Sequence, residues 1–150
     1  MTEKQEIEFL RSQVDFLSRN YVTGLYGRHK FMQRVRESFK SEDKFWIVMY
    51  DVDGLHEVNR RRGYAAGDSL LREVANDLKM CQKPCCVFHI GGDEFFTIYS
   101  DEPSDFGCEN TTSAMVKSSD YESIDEMLEM VDQRVSLEKK RIKRRRAEDI

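Results

Sequence analysis

The sequence predicts a mixed α/β (α+β) domain in which helices flank a central sheet. Residues 45–50 are continuously apolar, which is typical of a strand buried on both faces. Two β-prone runs, 87–90 and 95–99, flank Gly91 and Gly92, and paired glycines between such runs indicate a hairpin. Apolar residues recur at helical spacing elsewhere in the chain. With 150 residues, we expect one domain with its own core.

The first segment, residues 3–20, predicts a helix that begins with a capping box formed by Thr2 and Gln5. Its apolar residues follow the 3-4 spacing of a coiled-coil seam and are Ile7, Leu10, Val14, Leu17 and Tyr21. The same stripe would suit an amphipathic helix folded onto its own domain. Both interpretations remain open from the sequence.

A loop at residues 21–27 leads to a predicted helix at 28–40 and then to the central strand. The chain then bends at Gly54 into a second short helix, 55–61. Backbone N–H groups at such a bend are a natural cradle for an anion. Asp68 precedes a further helical pattern, so one interpretation makes it the N-cap of that helix.

Composition limits the class of protein. With 39% hydrophobic and 35% charged residues, no run long enough for a membrane span and no signal-peptide segment, we expect a cytoplasmic globular domain. A net charge of −4 argues against general nucleic-acid binding. In the cytoplasm the cysteines should be reduced. Cys85 and Cys86 fit the start of a buried strand, and the alternative is a zinc site formed with His89.

Acidic residues follow both predicted β-segments. Asp51 and Asp53 lie at the end of the first strand, and Asp93 and Glu94 lie at the exit of the hairpin. Adjacent carboxylates repel each other, so a bound cation would explain them, and converging oxygens suit Mg²⁺. The alternative is that each acidic pair is a solvated turn.

Several of these motifs together resemble the GGDEF domain of diguanylate cyclases. The matching residues, within a span from about 20 to 143, are Gly91-Gly92-Asp93-Glu94-Phe95, Asp51-Val52-Asp53, Asn59, Gly63, Gly67-Asp68, and Thr23-Gly24-Leu25-Tyr26 with Arg28 and Phe31. The resemblance implies a palm-like nucleotide-cyclase fold with a mixed central sheet. It also implies that two GTP molecules are joined into cyclic di-GMP, with release of pyrophosphate, by a homodimer.

The resemblance also implies a role for each matching residue. Asp51, the Val52 carbonyl, Asp93 and Glu94 would hold Mg²⁺ or Mn²⁺, with Glu94 acting either as general base or as ligand of a second metal. The phosphates would contact Gly54, Leu55, His56, Lys139 and Lys143. Asn59 and Asp68 would recognise guanine, whose edge an amide and an ionised carboxylate can satisfy together.

Other positions depart from the family pattern. His56 replaces a lysine, Tyr64 a histidine and His89 an arginine, while Gln82 and Cys85 stand where an R-x-x-D product-inhibition site is usual. Only residues 100–110 separate the hairpin from the next β-prone run, so one helix is missing. We therefore expect the sheet face beneath it to be shorter, more polar or covered by something else, such as a second chain.

The last predicted helix begins at about Ser123, with Glu126 placed for a capping box, and ends in a basic run at 139–146. This run is either a solvated tail or, beyond Lys143, a contact for nucleic acid or anionic lipid. We divide the chain into a dimerising helix (1–20), the GGDEF domain (21–146) and a tail (147–150).

Three hypotheses for function follow: an active diguanylate cyclase, a degenerate module that binds GTP or a partner protein, and a related cyclase with a different cyclic dinucleotide product. A separate sensor or regulatory protein is an expected further partner.

Overall fold

The computed structural model of the protein describes residues 1–81 and 86–148, and of Cys86 only the backbone. The elements are α1 (Glu3–Leu17), α2 (Arg28–Lys40), β1 (Trp46–Val52), α3 (Leu55–Arg62), α4 (Tyr64–Met80), β2 (Cys86–Gly91), β3 (Glu94–Tyr99), β4 (Thr111–Lys117), a 3-10 turn (Ser118–Asp120) and α5 (Ile124–Glu148). This order confirms the predicted α/β fold. Gln82 and Cys85, which replace the R-x-x-D residues, lie outside the described residues.

The strands form a four-stranded sheet in the order β2-β3-β1-β4, with each neighbouring pair antiparallel. The expectation of a mixed sheet was therefore wrong for these strands. Parallel pairing is seen in one isolated bridge, between Tyr26 and Phe88. The tight hairpin connection makes β2 and β3 antiparallel, because a short turn reverses the chain direction.

The central strand β1 is buried on both faces, as its continuous apolar run predicts. Ile47 and Met49 belong to a core cluster formed with α2 and α5, whereas Val48 and Tyr50 belong to a second cluster formed with α4 and the start of α3. Successive side chains of a strand point to opposite faces. The sheet is thus the middle of three layers, and Asp51 lies on the same face as Met49.

The loop at 100–110 takes the place of the missing helix. Its residues Phe106 and Cys108 are half-buried against the second core cluster, and the Tyr50 hydroxyl donates to the Phe106 carbonyl at 2.6 Å. The sheet face is therefore covered by the loop itself, so this cover needs no second chain.

Helix α1 begins with the predicted capping box: the Gln5 N–H donates to Thr2 Oγ1 at 3.2 Å and the Thr2 N–H to Gln5 Oε1 at 2.9 Å. It ends at Leu17, three residues before the predicted end at 20. The stripe is open to solvent, with Leu10 and Val14 each 60% exposed. The alternative in which this helix folds onto its own domain is therefore wrong.

Helix α5 covers the first core cluster with one face, on which Met127, Val131 and Val135 are buried. The Glu126 N–H donates to Ser123 Oγ at 3.2 Å, as the expected cap requires. The helix continues for more than three turns past Val135, and this last part carries the basic run.

Candidate active site

The hairpin turn places two acidic residues beside the end of β1. Gly92 takes a left-handed conformation (φ 45°), whereas Gly91 remains in β2 next to a shift in register. Glu94 lies opposite Asp51 across the β1–β3 pair, and the Val52 N–H donates to the Asp93 carbonyl at 2.8 Å. The four residues to which we assigned the metal are thus neighbours.

The carboxylates are close enough to affect each other's ionisation. Burial raises the pKa of Asp51, and Asp93 adds to this rise while Lys139 opposes it. Burial also raises the pKa of Glu94, and Asp93, Asp51 and Asp132 raise it further. The site therefore concentrates negative charge in a half-buried place, which favours the binding of a cation.

A lysine on α5 contacts this group. Nζ of Lys139 lies 2.6 Å from Oδ1 of Asp51, whose side chain is 14% exposed. The contact is an ion pair, and both Lys139 and Asp93 interact with the Asp51 side chain. Lys139, which the resemblance assigns to the phosphates, instead contacts Asp51, while Lys143 is exposed one turn further along.

The described residues contain no group of three or more Asp, Glu, His or Cys side chains arranged to hold a metal ion. The residues assigned to the metal are neighbours without forming such a group, because like charges repel and Lys139 already faces Asp51. The donors nevertheless fit Mg²⁺ or Mn²⁺, because the neighbouring carboxylates of Asp51, Asp93 and Glu94 are hard oxygen ligands.

Glu94 faces a cavity of about 270 Å³ between the sheet, α2 and α5. Arg28 and Asp132 line the same cavity, and Arg28 lowers the pKa of Glu94 where Asp132 raises it. No motif in the sequence places Asp132 in the site, since only the packing of α5 on the sheet brings it near Glu94.

The predicted phosphate cradle begins α3. Gly54 is left-handed (φ 68°) and precedes Leu55, which is buried, and His56, which is exposed. The first N–H groups of a helix have no partner within the helix, so those at this turn are available to an anion. Asp53, beside it, is held by β4: Thr112 Oγ1 donates to Asp53 Oδ1 at 2.7 Å. Asp53 therefore has a structural contact of its own.

The two residues assigned to guanine lie on adjoining helices. Asn59 of α3 packs against Gly67 of α4, and Asp68 is the next residue, half-exposed. Helix α4 begins at Tyr64, so Asp68 lies in its second turn and the N-cap interpretation was wrong. Gly63, in a left-handed conformation (φ 87°), turns the chain between the two helices.

His89 is a buried structural residue, with 2% of its surface exposed. Its Nε2 lies 2.8 Å from the Gly92 carbonyl and its Nδ1 lies 3.0 Å from Thr23 Oγ1, while its ring stacks on Phe95. Burial lowers the pKa of His89. Both ring nitrogens are hydrogen-bonded, which argues against the zinc alternative, and Cys85 lies outside the described residues.

Comparison with known proteins adds to this geometry. The sequence matches the family described as "Diguanylate cyclase, GGDEF domain" over residues 18–140. The fold is similar to the coiled coil and GGDEF domain of DgcB from Caulobacter crescentus in complex with c-di-GMP, with TM-score 0.76 and 19% identity, covering 91% of this chain and 90% of that one. The diguanylate cyclase SiaD of Pseudomonas aeruginosa, in complex with its activator SiaC, matches with TM-score 0.68 and 19% identity, covering 91% of this chain and 64% of that one.

Curated relatives are larger proteins. An uncharacterized membrane protein of Staphylococcus epidermidis is 31% identical over 108 residues, which are 67% of this chain and 30% of that protein. One from Staphylococcus aureus strain USA300 is 29% identical with the same coverage. The chain thus spans about 30% of the length of these relatives. In the part of the chain that the structure describes, no helix has the length and apolar character to cross a bilayer.

Proposed function

The chain belongs to the GGDEF domain family of diguanylate cyclases, and on that premise we propose that it condenses two GTP molecules into cyclic di-GMP and two pyrophosphates. The observation that carries the proposal is the meeting of Asp51, Asp93 and Glu94 at the hairpin, where burial and mutual repulsion raise the pKa of Asp51 and of Glu94. Such a group of carboxylates suits phosphoryl transfer assisted by a metal ion.

In this proposal Asp51, the Val52 carbonyl and Asp93 hold Mg²⁺ or Mn²⁺ on the triphosphate, with Glu94 as a further ligand or as general base. The ion, when bound, offsets negative charge on the α-phosphate and on the leaving pyrophosphate. As general base, Glu94 would accept the proton of the attacking 3′-hydroxyl. The hydroxyl oxygen forms a bond to the α-phosphorus, and the bond from that phosphorus to the pyrophosphate oxygen breaks.

Two further groups of residues bind the nucleotide. Asn59 and Asp68 recognise the guanine edge, and adenine would leave the Asp68 carboxylate without a donor. The bend at Gly54, Leu55 and His56 binds the phosphates, together with the side chains of Lys139 and Lys143. The basic end of α5 supports this assignment because a triphosphate needs compensating positive charge.

Each domain binds one GTP, so closing the ring requires two chains that face each other. The open stripe of α1 supports a homodimer in which residues 1–20 pair and residues 21–146 carry the active site, with 147–150 as a tail. The structure of DgcB likewise contains a coiled coil and a GGDEF domain.

A degenerate module is the second candidate. The observations that favour it are the ion pair of Lys139 with Asp51, which occupies a catalytic carboxylate, and the replacements at His56, Tyr64 and His89. Such a module would bind GTP or a regulatory protein without turnover; SiaD, bound to its activator SiaC, is a relative in fold that has a protein partner.

A cyclase with a different cyclic dinucleotide product is the third candidate. The presence of Asn59 and Asp68, which suit guanine, argues against it.

The test is incubation of the protein with GTP, ATP or both, in the presence of Mg²⁺ or Mn²⁺, with products identified by mass spectrometry. We expect cyclic di-GMP from GTP alone, and a loss of about 100-fold or more in Glu94→Gln and Asp93→Asn. Asp101→Asn, an exposed carboxylate in the 100–110 loop, is the matched control and should be fully active. GTP binding without product would favour the degenerate module, and a mixed product the third candidate.

A further inference from the structure

We propose that Lys139 is an exchangeable counter-cation of the active site. In the absence of nucleotide and metal its ammonium group neutralises Asp51, and when the metal enters with GTP the lysine leaves the carboxylate and moves to the triphosphate. The second half of this exchange rests on the proposed function. The first half depends only on the contact between Lys139 and Asp51.

The geometry of the pair supports displacement. Asp51 is held in β1 with its side chain 14% exposed, whereas the Lys139 side chain is 42% exposed. The last buried residue of α5 is Val135, so Lys139 lies one turn beyond the part of the helix that packs on the sheet. Lysine has a flexible stem of four carbons, so the ammonium can move without moving the helix.

The charges explain why the lysine lies there and why a metal would replace it. A half-buried carboxylate is costly unless it is paired, and Asp51 has Asp93 and Glu94 as additional negative neighbours. One ammonium compensates a single charge, whereas the site holds three neighbouring carboxylates. A divalent cation supplies twice the charge and accepts several oxygen ligands at once, so it competes effectively for Asp51.

The released lysine would remain in the site. Lys139 and Lys143 are four residues apart on one helix and therefore project from the same face. Metal entry would thus free a positive charge beside the place where the triphosphate must lie. The metal would contribute to nucleotide binding first and Lys139 second. Without metal and nucleotide, Lys139 would continue to neutralise Asp51.

The experiment measures binding of Mn²⁺ without nucleotide, by the loss of the electron paramagnetic resonance signal of the free ion. If the ion pair is formed about 90% of the time, the apparent Kd for Mn²⁺ is raised about tenfold. Lys139→Met should therefore bind Mn²⁺ about tenfold more tightly than the unaltered protein. Lys143→Met removes the same charge one turn away, from an exposed position, and should change the Kd less than twofold. Equal affinity in Lys139→Met and the unaltered protein would overturn the proposal.

A second measurement covers the case in which Lys139→Met is poorly folded. Mn²⁺ should raise the Tm of Lys139→Met more than that of the unaltered protein, because it replaces the missing counter-charge. An equal or smaller rise would contradict the exchange. Product formation from GTP is measured separately: exchange without cyclic di-GMP would refute the proposed function but leave the counter-cation role intact.

Discussion

The side chain of Asn59 fills the space that a side chain at Gly67 would need. A Cβ built on Gly67 would lie 1.7 Å from Asn59 Oδ1 and 2.8 Å from its Cγ. Gly67→Ala should therefore displace the amide from the position assigned to guanine recognition. Alanine is the better helix former by about 1 kcal/mol, so we expect little change in Tm but GTP binding weakened about tenfold or more, measured by calorimetry.

The control for this prediction is the double variant Asn59→Ala with Gly67→Ala. Removing the amide also removes the clash, so the second substitution should cost no further affinity beyond that of Asn59→Ala alone. Additive losses in the double variant would show that Gly67 acts independently of Asn59.

The sequence predicted most elements because their local signals agree with their burial. The apolar run at 45–50, the glycine pair of the hairpin and the helical spacing at 28–40 each correspond to an observed element. The predictions were wrong where tertiary contacts determine the local structure. The start of α4 at Tyr64 depends on the sharp turn at Gly63, so Asp68, a good N-cap by residue type, lies inside the helix.

The acidic residues of the site could be located from the sequence, but their partners could not. The pairing of Lys139 with Asp51 joins residues from the two halves of the chain and follows from the packing of α5 on the sheet. Likewise, His89 looked like a replacement for an arginine, and only the approach of Thr23 and Gly92 reveals its structural role.

The buried imidazole of His89 should make stability depend on pH. The Gly92 carbonyl can only accept, so Nε2 carries the proton and Nδ1 of the neutral ring accepts from Thr23. Burial lowers the pKa of His89, so below the pKa of the unfolded chain, about 6.5, the unfolded state binds more protons than the folded state. This contribution to the free energy of unfolding is present above that pH and is lost as the pH falls.

Denaturant unfolding of the unaltered protein and of His89→Gln between pH 8 and pH 5.5 tests this. Glutamine keeps a donor for the Gly92 carbonyl but does not titrate, so the variant should be less stable by about 1–2 kcal/mol at pH 8. The difference between the two proteins should narrow as the pH falls. Asp51 and Glu94, whose pKa values are raised, titrate in the opposite sense but in both proteins. If the difference in unfolding free energy between the two proteins stayed constant from pH 8 to pH 5.5, the pH dependence of stability would not come from His89.

The hydrogen bond from Tyr50 to the Phe106 carbonyl should hold the 100–110 loop on the sheet. Tyr50 is 1% exposed, and Tyr50→Phe removes the donor without changing the packed ring. We expect a loss of about 1–2 kcal/mol in the free energy of unfolding, since the carbonyl loses its partner. Amide hydrogen exchange in residues 101–109 should become faster while exchange in α4 stays unchanged.

The control is Tyr64→Phe, which removes a hydroxyl at a position 77% exposed. Unchanged loop exchange in Tyr50→Phe would show that the Tyr50 hydroxyl does not anchor the loop.

The open stripe of α1 should control both association and activity. Leu10 is 60% exposed in the single chain, and a glutamate there would place like charges face to face in a paired helix. Leu10→Glu should therefore be monomeric by analytical ultracentrifugation and should lose cyclic di-GMP formation about 100-fold, while each chain still binds one GTP. Ser12→Glu adds the same charge outside the stripe and should remain dimeric and active. An active Leu10→Glu monomer would contradict the requirement for two chains, and a dimeric Leu10→Glu would place the contact outside α1.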